Sequence, residues 1–120
     1  MEAHSVLVVE DDADIRDALV EILELEGYAV AAAGHGEEAL EQLRGGCKPC
    51  VIVLDMMMPV MDGWAFCAEK EKDPVLAPIP LVVVSAVAPQ DPRNASVRAV
   101  DHLPKPIDIG RLLATVESYC

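Results

Sequence analysis

The chain has 120 residues, which is enough for one compact domain over residues 1–120 and too few for two ordinary ones. Its 21 acidic residues outnumber nine basic ones and give a formal charge of −12, which disfavours direct binding to nucleic acid or to an anionic membrane. Its apolar runs are far shorter than the roughly 20 residues that cross a bilayer, and its N-terminus lacks the pattern of a secretory signal, so we expect a cytoplasmic protein.

The first two predicted elements are a strand and a helix. Residues 5–9 form an apolar, largely β-branched run, which is typical of a parallel strand buried on both faces. Apolar residues then recur at helical spacing over residues 15–23, where Asp12 or Asp14 is a suitable N-cap and Gly27 stands just beyond the end. The chain therefore begins with a β-α unit.

The same alternation continues to the end of the chain. The later predicted elements are strands at residues 28–32, 51–54, 81–84 and 102–103 and helices at residues 37–43, 62–72 and from 109 onward, the last one capped by Asp108. Strict alternation predicts an α/β fold, a doubly wound five-stranded parallel sheet of order 2-1-3-4-5, as in flavodoxin-like proteins. In that order the first and third strands are neighbours, and ligands bind in the crevice at their carboxyl ends.

Reactive side chains stand directly after four of the predicted strands. Glu10 and Asp11 follow the first strand, Asp55 the third, Ser85 the fourth and Lys105 the fifth. Because the first and third strands are neighbours, several carboxylates should crowd into one crevice, which either raises the pKa of one of them or binds a hard divalent cation. Mg²⁺ suits this site, since it needs only one or two carboxylates and keeps positions free for a phosphoryl oxygen.

Two further groups are expected on the other side of Asp55. Lys105 supplies a compact cation and Ser85 a hydroxyl donor. Together with a metal ion they would neutralise the three equatorial oxygens of a phosphoryl group, which is most of what catalysis of phosphoryl transfer requires. The pattern therefore predicts a phosphoryl-transfer site at this edge of the sheet.

Four motifs in order carry a resemblance to a known family. They are VLVVEDD at residues 6–12, VLDMMMPVMDG at residues 53–63, VVVSA at residues 82–86 and LPKP at residues 103–106. With all four at predicted strand ends, the chain resembles the CheY-like receiver domains of two-component response regulators over essentially its whole length. The resemblance implies a signalling switch rather than an enzyme acting on a separate substrate, one that promotes its own Mg²⁺-dependent phosphorylation and dephosphorylation.

The resemblance also implies roles for individual residues. The residue matching Asp55 becomes the aspartyl phosphate, and Ser85 and Lys105 match residues that contact the phosphoryl group. Asp11 matches a direct Mg²⁺ ligand and Glu10 one that acts largely through water, with Asp55 and the backbone carbonyl of Met57 completing the protein ligands. The Lys105-Pro106 peptide is commonly cis in the family. The implied phosphoryl donor is a histidine kinase or a histidine phosphotransfer protein, and the implied interactions include an output partner and phosphorylation-dependent homodimerisation.

The sequence departs from the family at two places. Receivers usually carry Tyr or Phe three positions before the lysine, as a switch residue that turns inward when the hydroxyl residue moves; here His102 stands there, so Ser85 and His102 are the candidate switch pair. The polar imidazole costs more to bury than a phenyl ring. The segment that normally holds the fourth helix carries Pro89 and Pro92 and few apolar residues at helical spacing, so we expect that helix to be short or irregular.

Three other functions make different demands on the same residues. A phosphatase of the haloacid dehalogenase type needs a second Asp two positions after the nucleophile, where this chain has Met57. A flavin or nucleotide binder needs a Gly-rich or Ser/Thr-rich phosphate loop after the first strand, where this chain has acidic residues that repel phosphate. A receiver-like docking module that works without phosphorylation stays open as the alternative.

The four cysteines are predicted to be free thiols. Cys47, Cys50, Cys67 and Cys120 belong to a chain expected in a reducing compartment, so no cross-link is assumed. The Cys47 and Cys50 pair precedes a strand, whereas activated CxxC thiols sit at a helix N-terminus, and a zinc site would need two more ligands. His35 is expected to be a solvent-facing loop residue.

Overall fold

The computed structural model describes residues 4–86 and 90–120. Pro89, which belongs to the segment predicted to be irregular, lies outside the described residues. None of the described helices has the length and apolar character needed to cross a membrane.

Five strands alternate with helices, close to the predicted bounds. The strands are β1 (Ser5–Val9), β2 (Ala29–Ala33), β3 (Val51–Asp55), β4 (Leu81–Ser85) and β5 (Asp101–Pro104), and the helices are α1 (Ala13–Leu25), α2 (Gly36–Arg44), α3 (Gly63–Lys72), α4 (Ile109–Tyr119) and a 3₁₀-helix, η1 (Pro92–Ser96). All pairings in the sheet are parallel, in the order β2-β1-β3-β4-β5. The predicted fold class and strand order are confirmed.

The sheet separates two buried apolar clusters. Successive side chains of a strand point to opposite faces, so each central strand contributes to both clusters. One cluster contains Leu7, Ile52 and Val83 with Phe66 of α3 and Leu40 of α2. The other contains side chains of the same strands and of α1 and α4, namely Val6, Val8, Val51, Val53, Val82, Val84, Leu19, Leu23, Leu112 and Val116. Helices cover both faces, as the continuous apolar runs of β3 and β4 predicted.

Short polar side chains cap the helices. Asp12 caps α1, accepting hydrogen bonds from the backbone N–H groups of Asp14 (2.9 Å) and Ile15 (3.1 Å), which decides between the two predicted caps. Asp108 caps α4 as predicted. His35 lies in the loop before α2, as predicted, but it is half-buried, and its Nδ1 accepts from the backbone N–H of residue 38 at 3.2 Å and caps α2. An imidazole nitrogen replaces the oxygen that usually satisfies this donor.

In the described part of the segment between β4 and β5, the one helix is the short η1, so the prediction of a short or irregular fourth helix is confirmed. Asp91 caps it and forms an ion pair with Arg93 at 3.0 Å. The segment docks on α3, where the indole Nε1 of Trp64 donates to Asn94 Oδ1 at 2.9 Å and the Arg93 guanidinium lies 4.1 Å from the ring centroid. Polar and cation-π contacts thus hold η1 where apolar helix packing is lacking.

The prediction of four free cysteines was wrong for two of them. A disulfide joins Cys50 to Cys120, whereas Cys47 and Cys67 are free. Cys50 directly precedes β3 at the amino edge of the sheet, and α4 follows β5 and runs back toward that edge, so the fold brings its last residue beside Cys50. The two cysteines are 70 positions apart in sequence, so no local sequence pattern shows this proximity.

Candidate phosphoryl and metal site

Three carboxylates, those of Glu10, Asp11 and Asp55, meet at the carboxyl edge of the sheet. Glu10 directly follows β1 and Asp55 ends β3, and the parallel pairing of these strands brings both to the same edge. Oxygen atoms of the three carboxylates lie within 4.8 Å of one another. Glu10 and Asp55 are 2% and 5% exposed, whereas Asp11 is open to solvent. The crowding expected from the strand order is therefore present.

Backbone contacts hold Glu10 in place. Its N–H donates to the carbonyl oxygen of Ala33 at 3.0 Å, which continues the ladder between β1 and β2. Its own carbonyl oxygen accepts from Arg16 Nη1 at 2.9 Å. Since Arg16 lies in the first turns of α1, this contact ties the helix to the loop that carries the acidic residues.

Lys105 supplies the positive charge of the pocket. Its Nζ lies 2.8 Å from Glu10 Oε1 and 3.4 Å from Asp55 Oδ2, and the side chain is 23% exposed. The Lys105-Pro106 peptide is cis, as the family resemblance implied. Burial opposes the charge, but the hydrogen bond to Glu10 and the charge of Asp55 outweigh it, so the pKa of Lys105 is raised. The ammonium group therefore stays charged.

The charged form of Glu10 is disfavoured in this arrangement, so the pKa of its carboxyl group is raised. Burial is the largest cause that raises its pKa, and the nearby Asp55 carboxylate raises it further, while the hydrogen bond from Lys105 acts in the opposite direction. One ammonium group thus contacts both buried carboxylates of a cluster that has three. An additional cation in the pocket would relieve the remaining repulsion.

The donor set fits a hard divalent cation such as Mg²⁺. All three clustered side chains offer carboxylate oxygens, and the exposed position of Asp11 leaves one side of the cluster open to water. The backbone N–H of Met57 donates to Asp55 Oδ1 at 3.2 Å, which orients the Asp55 carboxylate. The carbonyl of Met57 stays a predicted ligand.

The loop between β3 and α3, which directly follows Asp55, contains two close backbone contacts. Val60 has a φ of 67°, and the N–H of Met61 bonds to the carbonyl oxygen of Pro59 across it at 2.8 Å, forming a γ-turn. Gly63 begins α3, and its N–H donates to the Met56 carbonyl oxygen at 2.9 Å. A Cβ at Gly63 would lie 2.6 Å from the Met56 Cα, so only glycine allows this close approach. The start of α3 is thereby fixed to the residue after Asp55.

The model of the response regulator receiver domain family matches residues 6–117. The chain belongs to this family. It is 37% identical over 117 residues to an uncharacterized 14.6 kDa protein of Leptolyngbya boryana, covering 96% of this chain and 88% of that protein. It is 33% identical to a probable transcriptional regulator, ycf27, of Porphyridium aerugineum, covering 98% of this chain but 48% of the regulator. The chain therefore spans about half the length of such regulators.

Solved receiver structures superpose closely on this fold. The chemotaxis response regulator CheY4 of Vibrio cholerae matches with a TM-score of 0.88 at 28% identity, over 99% of this chain and all of the other. Together with the family match, this makes the chain a phospho-acceptor signalling domain of the response regulator class.

The two switch candidates of this receiver domain lie on adjacent strands. Ser85 ends β4 and is 5% exposed, and its carbonyl oxygen accepts from the Lys105 backbone N–H at 3.1 Å. His102 is half-buried in β5, where its Cα pairs with that of Val83. Their common role in switching stays a prediction.

Sequence reasoning missed two polar residues that shape the receiver domain. Arg16, which holds the Glu10 carbonyl, looks in the sequence like any polar residue on a helix surface. Lys70 of α3 is 2% exposed and donates to the carbonyl oxygen of Ala77 at 2.8 Å, closing the loop before β4. Burial lowers the pKa of Lys70. Its spacing after Phe66 and Cys67 was the available signal, since positions three and four apart share a helix face.

Proposed function

We propose that Asp55 accepts a phosphoryl group from the phosphohistidine of a histidine kinase or a histidine phosphotransfer protein, with Mg²⁺ held by Glu10, Asp11, Asp55 and the Met57 carbonyl. The observation that carries the proposal is the buried Asp55 carboxylate, which lies 3.4 Å from Lys105 Nζ and beside two further carboxylates. This arrangement pairs a nucleophile with a fixed cation and with oxygen ligands for a metal.

The chemistry follows from these positions. A carboxylate oxygen of Asp55 attacks the phosphorus atom, the phosphorus–nitrogen bond of the donor breaks, and the imidazole leaves with the bonding electron pair. Lys105 and the Ser85 hydroxyl stabilise the charge on the transferred oxygens, and bound Mg²⁺ supplies additional neutralisation. Attack of water on the acyl phosphate later returns the carboxylate and inorganic phosphate.

The aspartyl phosphate adds charge and volume at the end of β3. The domain acts as a switch because its conformation responds to this change. Ser85 and His102 are the residues proposed to transmit it, toward an output partner or a second phosphorylated copy. The extent of one receiver domain over residues 1–120 is supported by the family match to residues 6–117. The cytoplasmic location stays a prediction.

Titration with beryllofluoride, a mimic of the acyl phosphate, tests this function without a cognate kinase. We expect wild type to bind beryllofluoride in a Mg²⁺-dependent manner and Asp55→Asn to lose binding. Asp12→Asn is the matched control, because Asp12 is an exposed cap in the same acidic region and Asn also caps helices. Absence of Mg²⁺-dependent binding by folded wild type would favour the docking module that works without phosphorylation.

A further inference from the structure

The disulfide between Cys50 and Cys120 lies at the edge of the sheet away from the acceptor pocket. Cys50 directly precedes β3, and its backbone N–H donates to the carbonyl oxygen of Ser5 at 2.8 Å. Cys120 follows α4 and donates its backbone N–H to the Val116 carbonyl oxygen at 3.0 Å. The two Cα atoms are 5.3 Å apart. The fold therefore places both cysteines within bonding range.

The last turn of α4 is attached to the sheet through Cys120. Leu112 and Val116 are the buried residues of α4, and residues 117–119 after them are exposed. Cys120 is half-buried and packs against the same cluster as Val116. Among the residues that the structure describes, Cys120 is the one position after Val116 that anchors the turn to the core.

We propose that Cys50 and Cys120 form a reversible redox site, oxidised by low-molecular-weight disulfides, that fastens or releases the C-terminal turn of α4. The site lies one five-residue strand away from Asp55, which is roughly 17 Å at the rise of a β-strand. Oxidation therefore acts on α4 and leaves the groups of the acceptor pocket in place. The proposal does not rest on the proposed phosphorylation.

The oxidation proceeds by two thiol–disulfide exchanges. The Cys120 thiolate, on the frayed end of the reduced helix, attacks one sulfur of glutathione disulfide and releases one glutathione thiolate. The Cys50 thiolate then attacks Cys120 Sγ in the mixed disulfide, which forms the protein disulfide and releases the second glutathione. The two protein thiols lose two electrons and two protons, and the two glutathione molecules gain them. Excess reduced glutathione reverses both steps.

The other two cysteines are poor competitors for this reaction. Cys67 is buried in α3, and burial raises the pKa of its thiol to about 12. Burial also raises the pKa of Cys47, which lines a cleft with Leu43 and Leu76 on the side of α2 and α3. Cys50 packs with the opposite cluster, beside α1 and α4. Both free thiols therefore form less reactive thiolate than an unburied cysteine, and both lie on the face of the sheet opposite to the pair.

The test uses the full chain equilibrated with oxidised or reduced glutathione, followed by alkylation, peptide mass spectrometry and amide hydrogen exchange. We expect a Cys50–Cys120 disulfide in oxidised glutathione, complete reduction in excess reduced glutathione, and exchange over residues 117–120 that is roughly tenfold slower in the oxidised form. Cys50→Ser and Cys120→Ser should each abolish the difference, whereas Cys47→Ser should keep it.

Four outcomes would overturn the proposal. They are four free thiols at saturating oxidised glutathione, a bond between Cys47 and Cys50 instead, a disulfide that survives excess reduced glutathione, and exchange rates in α4 that do not depend on redox state. The Cys47→Ser variant separates a general effect of losing a thiol from loss of this pair. Binding of Mg²⁺ should be equal in both redox forms, because the pocket lies at the opposite edge.

Discussion

Glu10 and Asp55 are buried carboxylates that share the ammonium group of Lys105. Its nitrogen lies 2.8 Å from one carboxylate and 3.4 Å from the other. A metal ion held by the same carboxylates meets this positive charge at short range, and like charges repel. If the pocket holds Mg²⁺ as proposed, Lys105 would therefore limit its affinity for the metal.

We predict that Lys105→Ala tightens Mg²⁺ binding by roughly fivefold, about 1 kcal/mol, because a nearby competing cation is removed. Isothermal titration calorimetry measures this change. Lys48→Ala is the control, since Lys48 is exposed in the loop before β3, and it should bind Mg²⁺ like wild type. Equal or weaker Mg²⁺ binding by Lys105→Ala would show that the ammonium group does not compete with the metal.

The backbone of Val60 is strained in the loop that follows Asp55. It is a β-branched residue with a φ of 67°, and it is 75% exposed, so its side chain gains little from burial. Val60→Asn should therefore raise the free energy of unfolding by about 1 kcal/mol, because Asn tolerates this conformation better. Denaturant unfolding without Mg²⁺ measures the change.

Val75 provides the matched control for this substitution. It is also 75% exposed, but its backbone has no positive φ. Val75→Asn should leave the stability within about 0.5 kcal/mol of wild type. If the two variants behave alike, the backbone at Val60 carries no strain that its side chain can relieve.

The pocket residues could be predicted from the sequence because each follows a strand, and strand order alone brings such positions together. Arg16 could not be predicted, since its contact is with a backbone carbonyl of Glu10 rather than with a complementary side chain. The same holds for Cys50 and Cys120, whose proximity depends on where α4 ends against the sheet. Local patterns predict positions along a strand or helix, whereas these contacts arise from the packing of one element on another.

At the scale of elements, η1 replaces the regular fourth helix of the family. The prolines and the lack of apolar periodicity predicted its shortness, but its docking on Trp64 depends on a partner 30 residues away in sequence. Trp64 is the single tryptophan of the chain and lies in the first turn of α3, next to the loop between β3 and α3. Its fluorescence therefore reports on the position of η1.

We predict that Asn94→Ala changes Trp64 fluorescence and lowers the free energy of unfolding by about 1 kcal/mol, since the indole N–H loses its acceptor. Fluorescence-monitored denaturant unfolding gives both values. Gln90→Ala, at an exposed position in the same segment, should match wild type in both. An unchanged spectrum for Asn94→Ala would show that η1 is not docked on the indole.

Asp101 links β5 to α4. It accepts hydrogen bonds from Arg111 Nη2 at 2.8 Å and from Thr115 Oγ1 at 3.1 Å. Burial favours the neutral acid, but these contacts and the His102 backbone N–H outweigh it and lower the pKa of Asp101. The carboxylate therefore stabilises the fold above its unfolded pKa of about 4, and the contribution is lost as pH falls through the lower folded value.

Asp101→Asn should accordingly be less stable than wild type at pH 7 by no more than about 1 kcal/mol, because Arg111 is half-exposed and solvent screens the pair. The difference should shrink as the pH is lowered below about 4. Thermal unfolding of both proteins between pH 3 and 7 measures it. A difference that stays constant over this range would assign the effect to hydrogen bonding of the side chain rather than to its charge.

At the scale of the molecule, the fold was predictable because its signal is distributed over the whole chain. Alternating apolar strands and amphipathic helices specify a parallel sheet even when the exact first and last residues of an element are uncertain by a few positions. The strand order then places the acidic residues at one edge of the sheet. The formal charge of −12 makes the negative charges of the whole chain repel one another, and this repulsion is strongest among the three clustered carboxylates. A cation at this edge would relieve that repulsion, and the phosphorylation of Asp55 proposed above adds negative charge that such a cation would offset.

The most direct test of this account is peptide mass spectrometry after incubation with acetyl phosphate, a small phosphoryl donor that needs no partner protein. We expect one phosphoryl group on the peptide containing Asp55, formed with Mg²⁺, lost when Mg²⁺ is chelated, and absent in Asp55→Asn. Asp12→Asn should be labelled like wild type. A phosphoryl group on another residue, equal labelling of Asp55→Asn, or no labelling of folded wild type would contradict the assignment of Asp55 as the acceptor.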